Sequence, residues 1–402
     1  MRRMFLCVLV MLGLALGHVG ASAPEPLLNG PLIAATPARH DRILLYDLGA
    51  QPVRVRELSF GGGEHHVWDF SPDGCRILFT IDEQGQGLPL LYSARLDGSD
   101  RRALVTFDEL PPSEWGAWEP DWSAGPDGVE RIAFTMLRDL PDERTRQIER
   151  QTHIAWIPGE GGAPQFYSVT GREFSPTWSP DGGWLAYVSF DERVPGVDVL
   201  STAVPTTEPS GTPGEELPTV SEADLWVVSP DGETKYRLTN FSVGSARAPR
   251  WSPDGALIGF IYAISTANDT FWMIANQPDA IATQLNTTWH MTLDHTWLPD
   301  SSAMLASVRD FQDVTENRLW RIPLVGDADT GATLYPMAEL FTHTDFPRFS
   351  PDGRYLALRA QYSLAVVDAT SGVVQFMDDE RPGNTPPVWS PPDFAGEGLC
   401  PA

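Results

Sequence analysis

Phe70-Ser-Pro-Asp-Gly74, Trp178-Ser-Pro-Asp-Gly182, Trp251-Ser-Pro-Asp-Gly255 and Phe349-Ser-Pro-Asp-Gly353 are copies of one pentapeptide. Degenerate copies start at Trp122 (WSAGPDG), Trp297 (WLPDS) and Trp389 (WSPPD). The starts lie 52, 56, 73, 46, 52 and 40 residues apart, a spacing expected of propeller blades. The aromatic residue ends one strand. Pro then supplies the fixed φ of the second turn residue, Asp tolerates and hydrogen-bonds the tight turn, and Gly takes the left-handed position. A short apolar strand follows each turn, as in Ile77-Leu78-Phe79 and Leu185-Ala186-Tyr187. A second hairpin completes the unit, for example Leu90–Arg95, the Asp97-Gly98 turn and Arg102–Val105. Four strands make one blade, and a lone blade cannot cover both its faces.

The chain ends are out of phase with this repeat. Ile43–Asp47 and Val53–Leu58 read as a second hairpin with no SPDG hairpin before it, and Pro387–Trp389 as a first strand with no second hairpin after it. Joined, they make one split blade. The expected fold is therefore all-β, a β-propeller of four-stranded antiparallel blades whose ring closes by pairing the N- and C-terminal strands. Seven blades are expected, or six if the last copy is only a tail. Residues 22–39 read as a linker, 40–392 as the propeller and 393–402 as a C-terminal tail. Two insertions interrupt the array. Arg138–Gln151 is charged and suits a short helix, while 191–222 is rich in Pro, Thr and Glu and reads as a flexible excursion.

The 402 residues carry 54 acidic and 28 basic side chains, a formal charge of −26 that provides no basic footprint for nucleic acid. Residues 1–21 have the make-up of a secretory signal: Arg2 and Arg3, an apolar stretch from Phe5 to Leu16, and small residues leading to a cut after Ala21. An uncleaved N-terminal anchor is the other reading of this segment. The mature chain is expected outside the cytoplasm, periplasmic or extracellular, with no stable membrane insertion. It keeps Cys75 and Cys400, which ring closure would bring together; the expectation is a disulfide that staples the closure, against two unpaired thiols.

The repeated WSPDG and FSPDG turns, with the Ile/Leu-Ala-Phe/Tyr strands after them, resemble the TolB-type, or WD-repeat-like PD, propeller family. The resemblance covers about residues 40–392. It implies the propeller fold and leaves function open, because the architecture serves periplasmic binding proteins, lid domains of prolyl peptidases and a few lyases with a metal in the funnel.

Several chemistries can be weighed on the residues themselves. No GxSxG nucleophile elbow occurs, which argues against a self-contained serine peptidase and leaves a separate propeller subunit of one open. The histidines match no zinc signature, although His66, His295 and His343 all lie before SPDG turns, on segments expected to be innermost strands. Asp69, Glu119, Asp121, Arg250, Asp294 and Arg348 stand within three residues of a repeat aromatic. Either several of these line the central funnel, or they satisfy one another and nearby backbone. The tentative ligand site is His66, Asp69, Glu119, Asp121, Arg250, Asp294, His295 and Arg348, with no catalytic residue, resident metal or cofactor assigned. The expected function is a non-enzymatic binding or scaffold propeller for a protein, peptide or glycan partner. The alternative is a funnel-site enzyme, lyase or lactonase-like, which a metal could assist.

Overall fold

The computed structural model describes residues 26–107, 111–141, 148–168, 171–190, 223–241, 244–265, 268–285, 291–309, 316–325, 331–336, 341–377 and 381–401. The expected signal segment 1–21 and excursion 191–222 lie outside them.

The described chain is an all-β propeller of small antiparallel sheets, mostly four-stranded. Each SPDG corner is a hairpin turn between the first and second strands of a unit. At the first corner Gly74 has φ +73°, and its N–H donates to the Ser71 carbonyl at 2.7 Å. The Ser71 hydroxyl donates to Asp73 at 2.6 Å and accepts the Arg76 N–H at 2.9 Å. The same serine clasp recurs at Ser179, Ser252 and Ser350. Serine therefore ties the turn to the strand that follows, a role additional to those of Pro, Asp and Gly.

The strands fall into five separate four-stranded sheets and one eight-stranded sheet, so five separate four-stranded blades stand where seven, or six, were expected. The large sheet has two four-stranded halves, 173–237 and 245–284, joined where Ala223 bridges Ser245 in parallel. The reason is local: the bridge continues the hydrogen bonding across what is otherwise a boundary.

The chain ends share one sheet. Leu32–Ala35, inside the stretch expected to be a linker, pairs with Ile43–Asp47 on one side and Val388–Trp389 on the other. This strand supplies the member missing from the two terminal hairpins. The expected tail also packs: Phe394 covers Gly74, Glu397 accepts the Leu28 N–H at 2.8 Å, and Cys400 is disulfide-bonded to Cys75. The charged insertion is no helix where it is described. Strands Glu130–Pro141 and Ile148–Pro158 pair through to Pro141 and Ile148, so the hairpin continues outward instead. Its long alternation of side chains is satisfied by cross-strand partners such as Arg150 and Asp139.

Apolar clusters sit between sheets. Leu32 and Leu45 pack with Val67 and Phe79 on one face of the terminal sheet, while Ile33 and Tyr46 pack with Leu364 and Val366 on the other. The two halves of the eight-stranded sheet also pack against each other, Val188 and Leu225 with Phe260 and Ile274. This is how strands buried on both faces obtain their cover.

Candidate functional site

The first strands of the units are Glu64–Phe70, Trp115–Ala124, Glu173–Trp178, Ser245–Trp251, Met291–Trp297, Thr344–Phe349 and Val388–Trp389. Each lies beside the next, and Val388–Trp389 lies beside Glu64–Phe70. Pairing in all but the short last strand shifts register ahead of the aromatic residue, just before it in five strands and between Thr292 and Asp294 in the strand ending at Trp297. In four of these bulges a non-glycine residue at positive φ precedes a proline: Glu119-Pro120, Ser175-Pro176, Ala248-Pro249 and Phe346-Pro347. A bulge re-aims the following side chains, here the residue just before the aromatic.

The bulged segment as a whole carries the polar network. Asp69 accepts the N–H groups of Phe70 at 2.8 Å and Trp122 at 2.9 Å. Asp121 accepts the N–H of Trp178 at 2.9 Å, and Glu119 accepts the Ser175 hydroxyl at 2.8 Å. Each carboxylate thus reaches the first strand of the next unit. Farther along, indole N–H groups take over: Trp251 donates to the Thr177 carbonyl at 3.0 Å, Trp297 to Arg250 at 2.9 Å and Trp389 to Arg348 at 2.9 Å. These links were not read from the sequence. A signal for them was present in the proline two residues before Trp122, Trp178, Trp251, Phe349 and Trp389.

Arg250, Asp294 and Arg348 form one cluster. Asp294 pairs with Arg348 at 2.7 Å and Arg250 at 3.1 Å. Burial works against its charge, but the two guanidiniums hold the carboxyl below the usual range. Burial and the neighbouring Arg250 bring Arg348 down to about 10. His295 adjoins this cluster, fully buried and edge-on to Phe271; burial and Arg250 lower it to about 3, so it is neutral.

The other side of the site is acidic. Burial raises Asp69 well above the ordinary carboxylate range, with Asp121 adding to the effect, and burial raises Glu119 and Asp121 too. His66 stands among rings, 4.6 Å from His40 and 5.0 Å from Trp118 between centroids, and burial and His40 lower it to about 4. Of the sequence-predicted residues, Arg250, Asp294, His295 and Arg348 are brought together, and Asp69, Glu119 and Asp121 sit on two adjoining strands with His66. His343 is exposed beside the Thr342 hydroxyl, so the three histidines occupy separate surroundings. Among the described residues no group of three or more His, Cys, Asp or Glu is arranged to hold a metal ion.

No protein-family model matches the chain. It is 29% identical over 136 residues to an uncharacterized protein of Agrobacterium fabrum, covering 33% of this chain and 42% of that one. It is 27% identical over 170 residues to a protein TolB homolog of Chlorobium luteolum, covering 35% of this chain and 39% of that one. The chain therefore spans about two fifths of the curated relatives it matches. An oligogalacturonate lyase of Vibrio parahaemolyticus superposes with a TM-score of 0.51 at 14% identity, over 86% of this chain and 90% of that one, a likeness of fold. With its SPDG corners and its array of small sheets the chain is a β-propeller, and in its similarity to the TolB homolog it resembles the TolB type.

Proposed function

We propose that this protein is an exported, non-enzymatic propeller that binds or scaffolds a protein, peptide or glycan partner. The observation that carries the reading is the pairing of Asp294 with both Arg250 and Arg348, while Asp69 and Asp121 accept backbone N–H groups of the next unit. Side chains so engaged build a rigid lining suited to recognition, and a ring-shaped scaffold offers its funnel as the default ligand site. Export rests on the leader-like residues 1–21.

Seven blades are part of this reading. Apolar clusters lie between successive four-strand units, the halves of the eight-stranded sheet included, and the terminal sheet shares one with each neighbour. Pairing of Leu32–Ala35 with Val388–Trp389 would then close the ring.

The test is retention of partners from the native envelope on immobilised mature protein, run beside turnover assays on uronide and lactone substrates. Saturable retention of a defined partner, displaced by free protein, is expected. Catalytic turnover without any retained partner would replace this reading with the funnel-site enzyme.

A further inference from the structure

Four carboxylates and two guanidiniums occupy the bulges of the first strands, and their pairing is lopsided. Both guanidiniums are spent on Asp294. Asp69, Glu119 and Asp121 have only neutral donors: the N–H groups of Phe70 and Trp122, the hydroxyl and N–H of Ser175, and the Trp178 N–H with the Thr177 hydroxyl, respectively. Arg250 acts on Glu119 and Asp121 through space without a bond to either. Among the described residues these three part-buried acidic groups have no cation in contact, an unusual lining, because charges drawn out of water are normally paired.

Aromatic rings stand on the same two strands. Trp68 and Trp118 meet edge to face at 4.7 Å, and both are part-exposed. His66 lies against both, 5.0 Å from Trp118 and 6.2 Å from Trp68. It is only 8% exposed, and its Nδ1 is buried without a hydrogen-bond partner. Trp68 is fixed by its indole N–H, which donates to the Thr80 hydroxyl at 2.9 Å. An indole face attracts an organic cation through the ring quadrupole, and a carboxylate attracts it through charge; these two strands carry both.

We propose that His66, Trp68, Asp69, Trp118, Glu119 and Asp121 form a subsite for an organic cation, the guanidinium or ammonium of an arginine or lysine side chain on a peptide partner. This deepens the binding reading above and rests on it. The inserted cation would supply the contact the three carboxylates lack, with its alkyl stem against the indoles. The chain's formal charge of −26 would draw such a partner from a distance. An inorganic ion fits less well, because among the described residues these carboxylates do not converge as metal ligands.

The experiment is calorimetric titration of the mature protein with Nα-acetyl-argininamide, its neutral isostere Nα-acetyl-citrullinamide, and cellobiose. The arginine probe is expected to bind at least about tenfold more tightly than the citrulline probe, as desolvated cation–π and charge contacts together require. Glu119→Gln and Trp118→Leu should each weaken it by about tenfold, whereas Glu233→Gln on a distant exposed turn should leave it unchanged. Thermal melts identify any variant that fails to fold; Glu119→Gln, which keeps an acceptor for Ser175, then decides alone. Equal binding of the two amides, no binding of either, preference for cellobiose, or indifference to Glu119→Gln would overturn the proposal. If a retained envelope partner survives both substitutions, the cation subsite fails while the binding reading stands. If wild-type protein retains no partner, the broader reading fails.

Discussion

The Asp69 carboxylate accepts the backbone N–H of Trp122 across a sequence gap of 53 residues, at 2.9 Å. A side chain of one unit thereby completes the hydrogen bonding of the next, at the point where a bulge has left an amide unpaired. Asp121 repeats this with Trp178. Inter-unit contact is consequently specific as well as apolar.

Removing such a link should cost stability without changing the fold. Asp121→Ala leaves the Trp178 N–H without its acceptor, a loss of about 1–3 kcal/mol for a buried unsatisfied donor. Trp389→Phe deletes the bond to the Arg348 carbonyl but keeps most of the apolar area, and about 1 kcal/mol is expected. Chemical denaturation of both variants checks the order.

The charged residues make opposite contributions to pH dependence. Asp69, Glu119 and Asp121 bind a proton more tightly when folded, so they reduce stability at neutral pH, and that penalty is relieved as pH falls through their raised range. Asp294 is held low by its arginines; its contribution is complete above the ordinary carboxylate range and is lost as pH falls below it. Melting temperature between pH 8 and 3 should therefore flatten on the mildly acidic side in Asp69→Asn. In Asp294→Asn it should lose the acid limb, with about 3 kcal/mol less stability at neutral pH. A wild-type curve unaffected by either substitution would contradict both assignments.

The terminal clasp offers a separate test. Arg56 pairs with Glu397 at 2.6 Å, and both are nearly buried, beside the Cys75–Cys400 disulfide. Glu397→Ala removes the carboxylate from Arg56, which keeps the Leu96 and Pro26 carbonyls, and takes the acceptor from the Leu28 N–H, so about 1–3 kcal/mol should be lost. Reduction of the disulfide should cost about 2–4 kcal/mol. Denaturation of the variant with and without reductant measures each effect.

Glycines of the corners should differ among themselves. Gly182 has φ +64°, and an added Cβ would stand 2.4 Å from the Ala124 carbonyl oxygen of the preceding unit. Gly128 has φ +75° and open space around that position. Gly128→Ala should cost only the left-handed strain of about 1–2 kcal/mol, and Gly182→Ala clearly more, read as the difference in melting temperature.

The recurrence of aromatic-Ser-Pro-Asp-Gly was enough to establish the all-β repeat, because turn chemistry and strand alternation are local and each copy states them in full. The out-of-phase hairpins at Ile43–Leu58 and Pro387–Trp389 likewise announced that the two ends belong to one sheet. Leu32–Ala35 was not recognised, since four apolar residues after a proline carry no periodicity that separates a strand from a linker. The stretches 138–141 and 148–151 looked helical because charge alone does not set a period, and only their cross-strand partners make them extended.

The site divides in the same way. Composition and position one or three residues before the repeat aromatic marked Asp69, Glu119, Asp121, Arg250, Asp294 and Arg348 as a set, since nearby phases of a repeat occupy neighbouring places. Which of them would pair was decided only by folding. Asp294 lies between two arginines that are 44 residues before it and 54 after it in the chain, and no local rule relates such positions. Turns follow from a few adjacent residues, whereas ion pairs, burial and the company of His66 with Trp118 depend on how separate sheets pack. That packing is a property of the whole array.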